Sequence, residues 1–200
     1  VIIWDDISLI KAMQFYVSAL ATLLFSFAFA DRMRKQQTQL LHLATKDPLT
    51  GAGNRRAMEQ KLLDLNLHQR RGSDHSSSLI LMDLDRFKLI NDEYGHAVGD
   101  DILVQFTNTV TGRIRQTDSL YRFGGEEFLV LMPETDTQDA ILSLDRLRQQ
   151  VSELKWEQMQ RPVTISSGVI VWQANKSVEQ LIFLADQRLS TAKKAGRNQV

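Results

Sequence analysis

The sequence predicts a mixed α/β domain over residues 47–200, with an apolar helix before it. Three patterns support this fold class. The segment LILMDLD, residues 79–85, is an apolar run typical of a buried strand that ends in carboxylates. The stretch LYRFGGEEFLVLM, residues 120–132, has two strand-forming arms around a turn. Apolar residues recur every fourth position over 102–114, which is typical of one face of a helix.

The composition excludes several classes of function. Lys and Arg together number 24, as do Asp and Glu, so no overall charge favours binding to nucleic acid. The chain has no cysteine, which excludes disulfides, zinc–thiolate sites and thiol chemistry. Its 200 residues suffice for one domain with a sizeable core and an additional segment. Because the first residue is Val, we expect the chain to be part of a longer protein.

Residues 1–30 are predicted to contain the last membrane-spanning helix of a truncated membrane or sensor region. Residues 12–30 carry no charge, and a helix of roughly 20 such residues crosses a bilayer core. A buried core helix and a signal peptide are the alternatives, but a signal peptide would carry its basic residues before the apolar run. Here Arg32, Arg34 and Lys35 follow the run, which orients the C-terminal side towards the cytoplasm.

Residues 31–46 are predicted to form a helical linker, because they contain no Gly or Pro. Met33, Gln37, Leu40 and Ala44 fall at coiled-coil spacing, although over only about two heptads. A short solvated helix is the alternative. We favour a dimeric signalling helix, because it would continue the membrane span directly into the domain.

The remaining elements follow in order along the domain. Helices are predicted over 54–67, 102–114, 141–154 and 178–195, the last ended by Gly196; strands are predicted over 79–85, 120–123, 127–132 and 163–171, and a loop over 72–78. The alternation of apolar residues over 163–171 predicts a strand with one buried face.

Carboxylates at the ends of elements are the candidate chemical groups. The sequence has no GxxxxGK phosphate loop, no strand–GxGxxG–helix unit and no HExxH motif. Asp83 ends the buried strand and Glu126 stands at the hairpin tip, so neighbouring strands would bring both to one edge of a sheet. Hard oxygen ligands on such an edge suit Mg²⁺. The pair Gly124–Gly125 fits a two-residue turn that leaves room for a ligand, and a solvated turn is the alternative.

Five blocks of the sequence together resemble the GGDEF family of diguanylate cyclases. They are DPLTGAGNRR (47–56), MDLDRFKLINDEYGHAVGD (82–100), RQTDSLYRFGGEEF (115–128), TISSGV (164–169) and AKKAGRN (192–198). The order and spacing of the blocks agree with the family, and the signature has its GGEEF form. The resemblance therefore covers residues 47–200 and rests on several independent motifs.

The resemblance implies a fold and a reaction. The fold is a palm-like nucleotidyl-cyclase domain with a central, mainly antiparallel sheet flanked by helices. The reaction condenses two GTP into cyclic di-GMP and two pyrophosphates, with two domains facing one another as a homodimer. A membrane-anchored member would lie in the bacterial inner membrane with its catalytic domain in the cytoplasm. Its span and linker would transmit an input by changing how two domains face each other.

The family motifs also imply roles for individual residues. Asp83, Glu126 and the backbone carbonyl of Leu84 would bind Mg²⁺, with Mn²⁺ as the alternative ion. Glu127 would act as base or metal ligand, or else as a structural acceptor. The residues matching the nucleoside site are Asn91, His96 and Asp100, and those matching the phosphate site are Phe87, Lys88, Lys193 and Arg197. Lys88 is also counted among the catalytic residues.

The motif RQTD matches the family's product-inhibition site, where cyclic di-GMP binds through Arg115 and Asp118. A surface ion pair is the alternative for this motif. A second arginine often completes the site, and the sequence leaves Arg146 and Arg148 as candidates. The alternative to an active enzyme is a catalytically inactive sensor that binds GTP or cyclic di-GMP. Sensors often lose a residue of one set, and here the set is complete: Asp83, Lys88, Asn91, Asp100 and Glu126.

Overall fold

A computed structural model describes the backbone of residues 2–70, 76–157, 159, 161–173 and 175–200. It describes no side chains for residues 2–10, 12, 37–44 and 68–70. The chain divides into two compact units, Val1–Leu43 and Ala44–Val200. The family motifs all lie in the second unit.

A single helix, α1 (Ile2–Thr45), runs through the first unit. Its segment Met13–Gln36 has a mean hydropathy of 1.6, and none of the side chains in this segment is buried. The segment is therefore long and apolar enough to cross a membrane, while the alternative of a buried core helix finds no support. Of the four residues at coiled-coil spacing, Gln37, Leu40 and Ala44 have side chains outside the described residues, so the coiled coil stays a prediction.

The second unit has five helices and four strands within its described residues. They are α2 (Arg55–Arg70), β1 (Ser78–Leu84), α3 (Phe87–Tyr94), α4 (His96–Thr111), β2 (Ser119–Gly124), β3 (Glu127–Met132), α5 (Thr137–Glu153), β4 (Ile165–Val171) and α6 (Val178–Lys194). Local capping explains several of these boundaries. Asp136 accepts from the backbone N of Asp139 before α5, and Ser177 forms a capping box with Gln180 before α6. The predicted loop over 72–78 lies partly outside the described residues.

The four strands form one sheet in the order β2–β3–β1–β4, and every neighbouring pair is antiparallel. This confirms the mixed helix and antiparallel-sheet fold that the sequence predicts. β1 lies between β3 and β4, so the strand that carries Asp83 has a partner on each side. The sheet order differs from the chain order, and it brings the end of β1 beside the β2–β3 hairpin.

Helices cover both faces of the sheet, because alternate residues of β1 enter two separate cores. Ile80 and Met82 join a core that includes residues of α3, α4 and α5. Leu79 and Leu81 join a second core with residues of α2 and α6. Phe106 and Phe128 meet edge to face in the first core, with ring centroids 4.8 Å apart.

The prediction that the strand over 163–171 has one buried face is wrong. Ile165, Ser166, Ser167 and Gly168 are all buried, because both α5 and α6 contact β4. Gly168 allows the backbone of α6 to approach very closely: a side chain there would collide with the carbonyl oxygen of Ala185. The alternating pattern did not reveal this second cover, since small residues occupy the face against α6.

Candidate active site

The end of β1 and the tip of the β2–β3 hairpin meet at one edge of the sheet. Asp83 is paired with Glu127 across β1 and β3. One residue further on, the backbone N–H of Leu84 donates to the carbonyl oxygen of Glu126 at 3.3 Å. The hairpin tip is thereby tied to the strand end, and the carboxylates of Asp83, Glu126 and Glu127 come near one another.

The hairpin turn differs by one residue from the predicted Gly124–Gly125 turn. Gly124 is still paired with Glu127, so the turn residues are Gly125 and Glu126. Gly125 has a φ of 48°, in the left-handed region that glycine adopts readily. Glu126 therefore lies in the turn itself, at the hairpin tip where the sequence placed it, beside the end of β1.

Lys193 of α6 supplies a positive charge among these carboxylates. Its Nζ lies 2.8 Å from Oδ2 of Asp83, which is only 7% exposed. Burial raises the pKa of Asp83, and the nearby Glu126 and Asp85 raise it further, while Lys193 acts in the opposite direction. Burial and the charge of Asp83 likewise raise the pKa of Glu127. The edge is therefore an electronegative site that favours a cation.

The carboxylates fit a metal shared with a substrate better than a closed metal cage. Among the described residues, no group of three His, Cys, Asp or Glu side chains is arranged to hold a metal ion. Mg²⁺ commonly takes one or two carboxylates, keeps several waters and binds substrate phosphates. Asp83 and Glu126, the two carboxylates that the sequence predicts for such a set, lie near each other at this edge. In this structure the ammonium group of Lys193 neutralises the carboxylate of Asp83, as a bound divalent ion would do.

We predict that, in the absence of divalent metal, the free energy of unfolding of Asp83→Asn increases relative to that of the unchanged chain as the pH rises from about 4 to 7. The pKa of Asp83 is raised in the folded state, so its contribution to stability is present below its ordinary value of 3.8 and is lost as the pH passes the raised value. Asparagine cannot ionise and escapes this loss. Urea unfolding at several pH values measures the difference.

The control for this prediction is Asp101→Asn, the same change at an exposed position of α4. Its effect on the free energy of unfolding should vary little over the same pH range. If the free energy of unfolding of Asp83→Asn instead decreased relative to that of the unchanged chain as the pH rises, the charged form of Asp83 would stabilise the folded protein. The prediction would then be wrong.

Asp85 connects three segments next to the site by hydrogen bonds. The sequence patterns gave this residue no role. Its carboxylate accepts from the hydroxyls of Thr164 at 2.8 Å and Ser166 at 2.7 Å, and from the backbone N of Asn198 at 3.0 Å. It therefore joins the end of β1, the start of β4 and the segment after α6. An acidic residue that is buried and has three donors points to structural positioning rather than to catalysis.

The residues of the predicted phosphate site surround the turn from β1 to α3. Arg197 is held beside it by a bond from its own backbone N to the carbonyl oxygen of Ala192, 3.1 Å long, which ends α6. Lys88 is exposed in the first turn of α3, a helix that begins with no side-chain cap. Phe87 instead packs into the core with 6% exposure, so its side chain is structural.

The residues predicted to bind the nucleoside lie on α3 and α4. The GHAVGD segment begins α4, with Gly95 as the N-cap residue of this helix. His96 and Asp100 are exposed there. Asn91 of α3 lies against Gly99 of α4, and its Oδ1 is buried without a hydrogen-bond partner among the described residues. A side chain at Gly99 would collide with this oxygen, so the glycine makes room for Asn91.

The RQTD turn between α4 and β2 lines a separate cavity of about 290 Å³. Asp118 does not pair with the side chain of Arg115. Its Oδ2 accepts from the backbone N of Arg115 at 2.9 Å, and its Oδ1 is buried without a partner among the described residues. Arg146 lines the same cavity, whereas Arg148 is engaged by Asp145 at 2.8 Å. Of the two arginines that the sequence left open, Arg146 is the one at this cavity.

Arg122 connects the hairpin to the start of the domain, a link that sequence reasoning missed. Its terminal nitrogen lies 3.0 Å from Oδ1 of Asp47, and its Nε donates to the carbonyl oxygen of Gly125 at 2.9 Å. Hydrogen bonds from Thr50 and Arg122 lower the pKa of Asp47, although burial opposes them. The hairpin tip is thus bound directly to the residue two positions after α1.

Comparison with known protein families gives one match that covers most of the chain. Residues 44–199 match the family described as diguanylate cyclase, GGDEF domain. The diguanylate cyclase DgcP of Pseudomonas aeruginosa is 35% identical over 175 residues, covering 86% of this chain and 25% of the relative. The response regulator PleD of Caulobacter vibrioides is 38% identical over 177 residues, covering 86% of this chain and 39% of the relative. The chain thus spans less than half of the length of these relatives.

Solved structures give the same result for the fold. The coiled coil and GGDEF domain of DgcB from Caulobacter crescentus, in complex with c-di-GMP, has a TM-score of 0.84 and 28% identity, covering 92% of this chain and 98% of the other. The diguanylate cyclase SiaD of Pseudomonas aeruginosa, in complex with its activator SiaC, has a TM-score of 0.75 and 34% identity. That match covers 98% of this chain and 76% of SiaD.

Proposed function

The chain belongs to the GGDEF domain family, and on that premise we propose that it condenses two GTP into cyclic di-GMP with release of two pyrophosphates. The observation that carries the proposal is the bond from Leu84 to Glu126, which holds the hairpin carboxylate beside Asp83. A turn that served only to join two strands would have no reason to bring these carboxylates together, because burial, and in addition repulsion from neighbouring carboxylates, raises the pKa values of Asp83 and Glu127.

Asp83, Glu126 and the backbone carbonyl of Leu84 hold Mg²⁺ in this proposal, with Mn²⁺ as the alternative. The ion, when bound, supplies charge neutralisation at the α-phosphate and acidifies the attacking hydroxyl. Lys193 leaves Asp83 and binds the phosphates, together with Lys88 and Arg197. Each 3′-hydroxyl then forms a bond to the α-phosphorus of the other GTP, the bond from α-phosphorus to the bridging oxygen breaks, and pyrophosphate departs.

Glu127 keeps three alternative roles. Its raised pKa favours proton uptake from the attacking 3′-hydroxyl, so it is a candidate general base. Its pairing opposite Asp83 equally suits a second metal ligand or a structural acceptor. The reaction needs two active sites with one GTP each, so we propose that the active form is a homodimer.

Guanine is selected by α3 and α4 in this proposal. The unpartnered Oδ1 of Asn91 offers an acceptor to the base, and Asp100 accepts from the N1–H and exocyclic amine of guanine. Adenine presents a different set of donors and acceptors, so it would leave the buried Oδ1 of Asn91 and the carboxylate of Asp100 without these hydrogen bonds. His96 lies at the start of α4 and lines the same nucleoside site.

Cyclic di-GMP is proposed to inhibit the enzyme by binding at the cavity of the RQTD turn. Three guanidinium groups, those of Arg113, Arg115 and Arg146, line this cavity, and among the described residues none of them forms an ion pair. Such groups suit the two phosphates of the product. The unpartnered Oδ1 of Asp118 suits the N–H donors of guanine.

We expect Arg115→Ala and Arg146→Ala each to raise the concentration of cyclic di-GMP that halves the rate by about tenfold or more, because each removes a phosphate contact. Arg148→Ala is the matched control, since its guanidinium is held by Asp145 outside this cavity. Inhibition curves with added cyclic di-GMP measure the change. Equal curves for Arg146→Ala and Arg148→Ala would remove Arg146 from the site.

The first unit is proposed to anchor the protein in the bacterial inner membrane through Met13–Gln36, with the catalytic unit in the cytoplasm. The hydropathy of this segment supports the anchor, and the basic residues that follow it support the orientation. In the same proposal, α1 transmits an input to the catalytic unit. If a chain starting near residue 40 were as active and as dimeric at low concentration as the full chain, this regulatory role would be wrong.

The test is to incubate the full chain in detergent, stripped of bound nucleotide, with GTP and Mg²⁺ and to assay for cyclic di-GMP. The alternative, an inactive sensor, predicts binding of GTP or cyclic di-GMP without consumption of GTP. A dimeric preparation that binds GTP and forms no product would favour that alternative.

A further inference from the structure

The segment that follows α6 has a positive φ at three successive residues. Gly196, Arg197 and Asn198 have φ angles of 124°, 65° and 49°. Glycine adopts such angles readily and asparagine more often than most residues do, whereas an arginine there is uncommon. Residues in these conformations persist only where the surrounding structure holds them, and they are concentrated at functional sites. We name residues 196–199 the post-α6 turn.

Backbone hydrogen bonds hold the main chain of the post-α6 turn against α6 and the sheet. The backbone N–H of Arg197 donates to the carbonyl oxygen of Ala192 at 3.1 Å, and that of Asn198 donates to Oδ2 of Asp85 at 3.0 Å. A backbone N–H of β4 donates to the carbonyl oxygen of Gln199 at 2.8 Å. These bonds fix the path of the main chain and do not involve the side chain of Asn198.

The side chain of Asn198 is held by Arg148 of α5. The terminal nitrogen NH1 of Arg148 donates to Oδ1 of Asn198 at 3.1 Å. Its Nε lies 2.8 Å from Oδ1 of Asp145, three residues earlier on the same helix. The side chain of Arg148 is only 18% exposed, so water competes little for these contacts. Asp145 thus orients the guanidinium, and the guanidinium binds the residue directly after Arg197.

This contact gives Arg148 a place in the molecule that the sequence did not indicate. The sequence made Arg148 a candidate for the product-inhibition site, but Arg146 is the arginine that lines that cavity. None of the residues proposed to bind metal or GTP belongs to α5, which spans Thr137–Glu153. An effect of Arg148 on the binding of GTP would therefore pass through the post-α6 turn.

We infer that Arg148 is a positioning residue for the reaction, because it holds Asn198 and so keeps Arg197 in the conformation that binds the phosphates of GTP. The inference rests on the proposed function, in which Arg197 is a phosphate-binding residue. Without Arg148, the main chain at Arg197 would relax towards the negative φ angles that arginine commonly adopts. The loss would appear in the binding of phosphates rather than of guanine, since Asn91 and Asp100 lie on other helices.

The test compares Arg148→Gln with the unchanged full chain in detergent. Calorimetric titration with GTP in EDTA, which prevents turnover, should give a dissociation constant about tenfold higher for Arg148→Gln, because a hydrogen bond to a charged group contributes at that level. The dissociation constant of GMP, which lacks two of the three phosphates, should change by less than about twofold. In turnover assays with Mg²⁺, the KM for GTP should rise by a similar factor while kcat changes little.

Further variants identify the route from Arg148 to the phosphates. Asn198→Gly removes the acceptor of Arg148 and keeps a residue that adopts a positive φ readily, so it should weaken GTP binding about as much as Arg148→Gln. Arg197→Gln should weaken it as well. Adding Arg148→Gln to Arg197→Gln should change the dissociation constant by less than about twofold, because Arg148 acts through Arg197. Arg56→Gln, the same change at an exposed position of α2, is the control and should match the unchanged chain.

The outcomes separate this inference from the proposed function. If Arg148→Gln binds GTP as tightly as the unchanged chain, or if its effect adds in full to that of Arg197→Gln, the inference is overturned. An equal loss of GTP and GMP binding would assign Arg148 a role in folding alone and overturn it as well. Should Arg148→Gln fail to fold, Asn198→Gly provides the same comparisons. If the unchanged chain forms no cyclic di-GMP, the proposed function fails, and the titrations with GTP in EDTA still decide whether Arg148 positions Arg197.

Discussion

Glu126→Gln is expected to lower the rate of cyclic di-GMP formation by about a thousandfold, the upper range for removal of one electrostatic stabiliser from an active site. The amide keeps the shape of the side chain and removes the charge that the metal requires. Glu126 is only partly buried at a turn, and its backbone bond to Leu84 does not depend on the side chain. The fold should therefore persist. Product formation at saturating GTP and Mg²⁺ measures the loss, and thermal unfolding checks the fold.

The control for Glu126→Gln is the same change at Glu153, an exposed residue at the end of α5. It should leave the rate and the melting temperature unchanged. A Glu126→Gln variant that keeps more than a tenth of the rate would exclude Glu126 as a metal ligand, and would direct attention to Glu127 instead.

Gly168→Ala is expected to destabilise the domain by about 3 kcal/mol, because the added Cβ would overlap backbone atoms of α6. The carbonyl oxygen of Ala185 and the backbone N of Leu189 both lie where that carbon would be. Neither can rotate away as the end of a side chain would, so α6 must lift from β4. Since α6 carries Lys193, the affinity for GTP should fall as well. Urea unfolding at pH 7 measures the loss of stability.

Gly124→Ala is the matched control, because it makes the same change at a strand position with no atom within 4 Å of the new carbon. Its cost should stay below about 1 kcal/mol. Equal unfolding midpoints for Gly168→Ala and Gly124→Ala would mean that α6 does not approach β4 as closely as described.

The elements that carry the site were predictable because their patterns are local. The apolar run before Asp83 indicated a buried strand, and the hairpin around Gly125 was visible from two strand-forming arms. The pairing of Asp83 with Glu127 was not predictable from these patterns alone, since β1 pairs with β3 and β4 rather than with its neighbour along the chain. Sheet order depends on the packing of all helices at once, which no local pattern contains.

Residues that act by positioning others were missed for a related reason. Asp85 and Arg122 lie inside the blocks that resemble the family, yet each looks like an ordinary charged residue. Their importance follows from partners far along the chain: Asp85 binds Asn198, and Arg122 binds Asp47. Similarly, the pattern of β4 suggested one solvated face, because Ser166 and Gly168 are polar or small. They are buried because α6 packs closely against β4. This tertiary contact leaves no periodic pattern in the sequence.

In the proposed function, this chain forms cyclic di-GMP with carboxylates that lie together at one edge of the sheet. The most direct measurement is a mass balance of GTP, pyrophosphate and cyclic di-GMP in one reaction of the full chain, with Mg²⁺ and with EDTA. The account predicts that two GTP disappear for every cyclic di-GMP and two pyrophosphates formed, and that EDTA stops all three changes. GTP bound tightly by a dimeric chain, yet unchanged in the presence of Mg²⁺, would contradict it.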